Sequence, residues 1–209
     1  MVLTMKRIIN IINDDNAIKI HYYNIEKEKY NYLTFFDALH KDFRHEYENL
    51  LEDNKKKYVS NSAEIYIPLV SVYVLAEKIK ADKDYSYQYT LDKVRKLTNL
   101  DKGQEEVAVA LYMILHEFGH WYNFKECGDK PYVYMGNPSD IDKERKLFEY
   151  RKKLERELSG KESLSESDEQ HIKEYVVKYN NLKREKIAND YADKHFQEKY
   201  ELLKKSGYM

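Results

Sequence analysis

The chain has 209 residues, 42% hydrophobic and 35% charged, enough for one domain with a real core and much exposed polar helix. Its 36 Lys and Arg against 37 Asp and Glu leave a formal net charge of −1, which argues against sequence-independent binding along a nucleic-acid backbone. Cys127 is the only cysteine, so an internal disulfide is excluded and a reducing compartment fits.

The opening "MVLTMKRIINIIND" lacks the continuous apolar segment and cleavage site of a secretory signal. No run reaches the length of a membrane span, so a cytoplasmic protein without membrane contact is expected. "AIKIHYY" (17–23) places Ile18, Ile20 and Tyr22 on one side, the period of a strand. From 34 to about 57, Phe35, Leu39, Phe43, Tyr47, Leu50 and Leu51 fall on one stripe, which predicts a helix with Thr34 and Asp37 at its N-cap. "AEIYIPLV" (63–70) predicts a second strand, which Pro68 ends or demotes to a sheet edge. A short helix is expected over 70–80. The polar, tyrosine-rich 81–90 reads as loop or edge strand, and another short helix as 91–97.

Asp101 and Gln104 have capping-box spacing before a helix that is apolar on nearly every face over 107–115 and should therefore be buried. The glycines and prolines of "ECGDKPYVYMGNPSD" (126–140) predict irregular structure. A charged helix over 140–158 is expected to end at Ser159-Gly160, with Gly160 as C-cap. Ser167 and Gln170 can cap a further helix running to about 205, with a break at Asn180-Asn181. The two charged stretches read as a helical hairpin inserted at about 140–180, without sustained heptads. No fixed-period repeat is found.

The buried helix carries "HEFGH", residues 116–120. Positions i and i+4 of a helix lie one above the other, so His116 and His120 can offer two imidazole nitrogens to one zinc ion at roughly 2.0–2.1 Å each. Glu117, angled beside them, is placed to take a proton from water that the metal polarises. That supplies a nucleophile for amide hydrolysis without serine or cysteine. Such groups are costly inside an apolar helix unless they have a partner. Gly119, about 1 kcal/mol worse than Ala within a helix, makes sense if another backbone or a substrate approaches closely there.

A catalytic zinc site needs a third protein ligand and one open position. Glu126 has the metzincin spacing, but that pattern requires Gly where this chain has Asn123, and His or Asp where it has Glu126. Glu185, 65 residues after His120 (185 − 120), shares a predicted helix face with Ala188, Asn189 and Ala192. The small alanines would admit the "HEFGH" helix closely, and Asn189 could hold a ligating histidine by its second ring nitrogen. Glu185 is the preferred ligand and Glu126 the alternative. Tyr122 or Tyr191 is a candidate to stabilise an oxyanion, but packing at helix surfaces is the preferred reading for both. His195 is a lesser candidate for a substrate hydrogen bond, and His21, His40, His45 and His171 form no second metal spacing.

"HEFGH" followed by "E-x-x-A-N-x-Y-A", Glu185 to Ala192, resembles the ImmA/IrrE-type zinc metallopeptidases, a minimal gluzincin group. The resemblance implies that His116, His120 and Glu185 bind one zinc ion and that Glu117 is the catalytic base. It further implies cleavage of regulator proteins, often in a phage or mobile-element setting. The matching segments cover about 104–124 and 182–200. The gap between them is longer than is usual in that family, by the charged hairpin, and no helix-turn-helix accompanies them.

The expectation is therefore a single α+β domain over 1–209, predominantly helical. A small mixed sheet would pack on a buried HExxH active-site helix, and 140–180 would form a charged hairpin insertion. The function expected is zinc-dependent peptide hydrolysis of a protein or peptide substrate, with no direct nucleic-acid partner. The alternative is an inactive scaffold or binding protein of the same fold that works through the hairpin.

Overall fold

A computed structural model describes residues 2–28, 33–81, 85–101, 103–159, 161 and 163–207. The class is α+β, mostly helical, with one three-stranded mixed sheet among the described residues. The chain begins with α1 (Met5–Ile12), β1 (Ile20–Tyr23), β2 (Phe35–Asp37), α2 (Lys41–Glu48) and α3 (Glu52–Lys57). It continues through β3 (Glu64–Pro68), α4 (Val72–Ala81), α5 (Ser86–Leu97), α6 (Glu105–Glu126) and α7 (Pro131–Met135). Three long helices complete it: α8 (Pro138–Leu158), α9 (Glu166–Asn180) and α10 (Lys183–Lys205). No helix of the described residues is long and apolar enough to cross a membrane.

The strand order is β1-β3-β2, with β1 parallel and β2 antiparallel to β3. Of the two readings of Pro68, the strand end holds and the edge does not: β3 stops at Pro68 and is the centre of the sheet. Residues 65–68 are all buried, which explains their unbroken apolar run. Pro68 is tolerated because it ends the strand, and Leu69 N–H donates the next ladder bond to Tyr23 O at 2.8 Å.

The helix expected from 34 begins only at Lys41, behind an N-cap at His40 whose Nδ1 accepts from Asp42 N. Before it, β2 alternates its aromatic rings across the sheet. Phe35 stacks flat on Tyr66 at 4.5 Å, while Phe36 turns to the other side against Phe124 at 5.5 Å. Two adjacent aromatic rings facing opposite ways need a period of two, and the helical spacing of Phe35, Leu39 and Phe43 is coincidental. Phe43 and Leu51, two residues of that apolar stripe, are exposed.

Helix α5 starts five residues before the expected 91, because Tyr87 joins Leu91 and Val94 on one buried face. Residues 82–84 lie outside those described. The capping box at Asp101 and Gln104 does not form: Gln104 is itself the N-cap, and its side chain accepts from Tyr200 OH at 2.6 Å. Within the stretch expected to be irregular, α7 forms with Pro131 in its first turn, where a missing N–H costs nothing.

The hairpin consists of α8 and α9, which meet through Tyr150 and Tyr175, ring centroids 6.5 Å apart. Its second helix is capped by Ser165 and Asp168, not Ser167 and Gln170; Gln170 bonds Glu174 one turn on. Gly160, the expected C-cap of α8, lies outside the described residues. The break at Asn180-Asn181 is present between α9 and α10.

Candidate metal centre

Helix α6 is buried along most of its length, and α10 is its main helical neighbour. Gly119 makes this possible. A Cβ at that position would lie 2.7 Å from Ala188 Cα and 2.8 Å from Ala188 O, closer than real Cβ atoms come. With Ala188 and Ala192 fully buried opposite, the two helices touch backbone to backbone. Both the glycine and the alanines take the role expected of them.

The close approach brings His116, His120 and Glu185 together, the one such group of possible metal donors among the described residues. Glu126 is exposed at the end of α6 and takes no part. The two Nε2 atoms are 3.1 Å apart, and Glu185 Oε2 lies 3.2 Å from that of His116 and 3.3 Å from that of His120. Ligands at 2.0–2.1 Å in a tetrahedron stand about 3.3 Å from one another. The triangle therefore has the size of three corners of a four-coordinate site.

Each ring is fixed from behind. His116 Nδ1 faces Asn189 Oδ1 at 3.2 Å, the partner expected from sequence, and His120 Nδ1 faces Tyr134 OH at 2.9 Å. Asn189 is held in turn by donating to Asn180 Oδ1 at 3.0 Å and accepting from Tyr112 OH at 3.3 Å. Partners of this kind set which nitrogen is free to bind and where it points. Glu185 keeps Oε2 toward the histidines, while Oε1 accepts from Tyr179 OH at 3.1 Å.

Glu117 is buried beside the triangle and is not one of its corners. Its Oε1 accepts from Thr34 Oγ1 at 3.3 Å, and its Oε2 has no partner among the described residues. A buried carboxylate oxygen without a hydrogen bond is costly.

Burial pushes the Glu117 carboxyl up, and the charges of His116 and His120 offset this only in part. Burial acts the same way on Glu185, but the His120 charge and the hydrogen bonds from both histidines outweigh it and hold this carboxyl well below the usual range. For His116, burial works to lower the pKa; the hydrogen bond to Glu185 and the charges of Glu117 and Glu185 overcome it and raise the imidazole. The cluster therefore draws positive charge into its centre. Two imidazoles and a carboxylate suit a borderline divalent cation, so the residues fit a metal.

Phe36 of β2 lies against this part of α6, its ring centroid 6.3 Å from that of His120 and 5.4 Å from that of Tyr134. Tyr122 and Tyr191 take the packing role preferred for them: Tyr122 OH donates to Asp15 at 2.9 Å, and its ring stacks on Tyr191 at 5.1 Å. His195 packs on Tyr191 at 4.4 Å. Burial raises the Cys127 thiol, which disfavours the thiolate a nucleophile needs.

Thr34, Tyr134 and Tyr179 were not anticipated. Tyr134 had a readable signal, since Pro131 and Tyr134 are spaced i, i+3 behind a helix-starting proline and both are buried. Thr34 and Tyr179 had none, because each reaches the site across a change of element. Comparison of the chain with family models, characterised proteins and solved structures finds no match.

Proposed function

We propose that the chain is a zinc-dependent metallopeptidase of the gluzincin type, similar to the ImmA/IrrE group, acting on a protein or peptide substrate. One observation carries the reading: a three-donor triangle of tetrahedral size, beside a carboxylate oxygen of Glu117 that has no partner among the described residues. Three protein donors with a fourth corner open are the pattern of catalytic zinc sites; structural sites close all four. When bound, zinc would supply Lewis-acid polarisation of the scissile carbonyl and a lowered pKa for water.

The remaining work belongs to the chain. Glu117 takes the proton from the attacking water through Oε2 and delivers it to the leaving amine, the role of a general base that becomes a general acid. Its carboxyl is raised, first by burial, which makes it a better proton acceptor than an ordinary carboxylate. Thr34 keeps Oε1 occupied, so that Oε2 is the oxygen presented. Phe36, packed against His120, supports the reading that the small sheet backs the HExxH helix. Since β3 is central, the open sheet edge near the site is that of β2, which among the described residues pairs only with β3. An extended substrate could add there as a further strand.

Metal analysis of the purified protein, alongside Glu185→Ala and Glu117→Gln, tests this. The expected result is about one zinc per chain, lost in E185A and kept in E117Q. Peptide-library cleavage should be present in the wild type alone. Zinc retained without cleavage of any peptide would point instead to a non-enzymatic scaffold of the same fold.

A further inference from the structure

The third donor sits on an insecure perch. Glu185 is the third residue of α10, its side chain has several rotatable bonds, and its carboxylate could present one oxygen or two. Oε2 nevertheless points at both histidines, 3.2 and 3.3 Å away, and Oε1 is turned from them. Three side chains account for this, and two of them belong to the charged hairpin. Tyr179, in the last turn of α9, donates its hydroxyl to Oε1 at 3.1 Å across the break at Asn180-Asn181. Arg184 approaches the same oxygen with Nε at 3.7 Å.

Arg184 is itself tied down. Its guanidinium pairs with Glu144 of α8, contacts Met135 Sδ at 3.0 Å, and lies over the Tyr134 ring at 5.7 Å. Tyr134 in turn faces His120 Nδ1. The contacts close a ring that runs Arg184, Glu185, His120, Tyr134 and back to Arg184, with Glu144 holding Arg184 from outside it. Solvated insertions do not behave in this way. Glu144 of the hairpin and Arg184 of α10 keep only 29% and 20% of their side-chain surface, whereas the hairpin's other charges mostly pair along their own helix at i, i+4.

We propose that Tyr179 and Arg184, the latter anchored by Glu144, are positioning residues that hold one oxygen of Glu185 away from the metal, making the α8–α9 hairpin a working part of the metal centre. This rests on the metal-site reading above. By occupying Oε1, they make Glu185 a one-oxygen ligand and keep a coordination position open for water and substrate.

The experiment compares wild type with Tyr179→Phe, Arg184→Met and Glu144→Gln as full-length chains. Zinc affinity is measured by chelator competition, thermal unfolding is followed on the metal-free proteins, and the visible spectrum is recorded after cobalt substitution. Y179F, which removes only a hydroxyl, should weaken zinc binding about tenfold. The metal-free melting temperature should stay near that of the wild type. Its cobalt spectrum should lose intensity, as a second oxygen of Glu185 raises the coordination number from four to five. R184M should act in the same direction, and E144Q more weakly.

Should R184M fail to fold, Y179F decides the matter. Unchanged zinc affinity and an unchanged cobalt spectrum in Y179F would overturn the inference while leaving the metal site intact. A wild type that binds neither zinc nor cobalt would overturn both.

Discussion

Gly119 and Ala188 meet with no side chain between them: a Cβ at Gly119 would lie 2.7 Å from Ala188 Cα. This contact fixes the separation of α6 and α10, and with it the reach of Glu185 to the two histidines. Gly119→Ala gains about 1 kcal/mol of helix propensity. Against that stands an overlap with backbone, which cannot rotate away, so the cost should reach the upper part of the ~1–3 kcal/mol range for overpacking. A net loss of about 2 kcal/mol is expected in urea unfolding of the metal-free protein, by the same arithmetic. Zinc retention should fall as well. An equally stable variant with full zinc content would mean that the helices can separate without disturbing the site.

The site was more legible in sequence than the sheet, for a physical reason. His116, His120, Gly119, Ala188 and Asn189 lie on two long helices whose periodicity fixes which side chains share a face. Their chemistry was incongruous with an apolar surface, and that incongruity is itself a signal. The β2 strand had only three residues, and its aromatic pair imitated a helical stripe when read together with Leu39 and Phe43. Pro68 left two readings of β3 open, because a proline at the last position of a strand reads in sequence like one at an edge; only the place of β3 in the sheet decides for the first. Thr34 and Tyr179 illustrate a further limit. Both reach the cluster from segments next to a turn, where the path of the chain is set by tertiary packing.

Asn189 should matter to the metal and Tyr112 should not, although their side chains touch. Asn189→Leu removes the acceptor facing His116 Nδ1, and loss of such a partner typically weakens metal binding by about 10–100-fold. Tyr112→Phe deletes a hydroxyl that donates mainly to Asp193 at 2.7 Å, leaving the contact between Asn189 and His116 in place. Chelator competition on both variants should separate them by at least about tenfold. Equal affinities would place the orientation of His116 elsewhere.

A pH effect independent of the metal is expected at the start of α9. Lys161 beside Asp168, with the hydrogen bonds from Ser165, pulls this carboxyl from its ordinary 3.8 down to about 2. A carboxyl depressed in the folded state adds stability that is present above its unfolded pKa and is lost as pH falls through the folded one. The capping box should thus protect the first turn of α9 above about pH 4 and cease to do so near pH 2, by that linkage. Asp168→Asn should raise amide exchange in that turn at neutral pH, with the difference from wild type closing toward pH 2. A difference that persisted unchanged at pH 2 would mean that the charge of Asp168 is not its source.

The sharpest division of labour is between Glu117 and the triangle beside it. Its Oε2 has no partner among the described residues, and its Oε1 is bound to Thr34, so the carboxylate can be altered without removing one of the three possible donors. On the metallopeptidase reading proposed above, E117Q should therefore bind zinc as the wild type does while kcat for peptide hydrolysis falls about a thousandfold, within the usual span for a lost general base. Thr34→Val keeps the shape and the carboxylate but releases Oε1, allowing the group to turn away from its working position. Its kcat should fall to a value between those of wild type and E117Q, with the metal again retained. Were T34V to match the wild type in kcat, the hydroxyl would have no part in orienting the base; were E117Q to lose its zinc, Glu117 would belong among the donors.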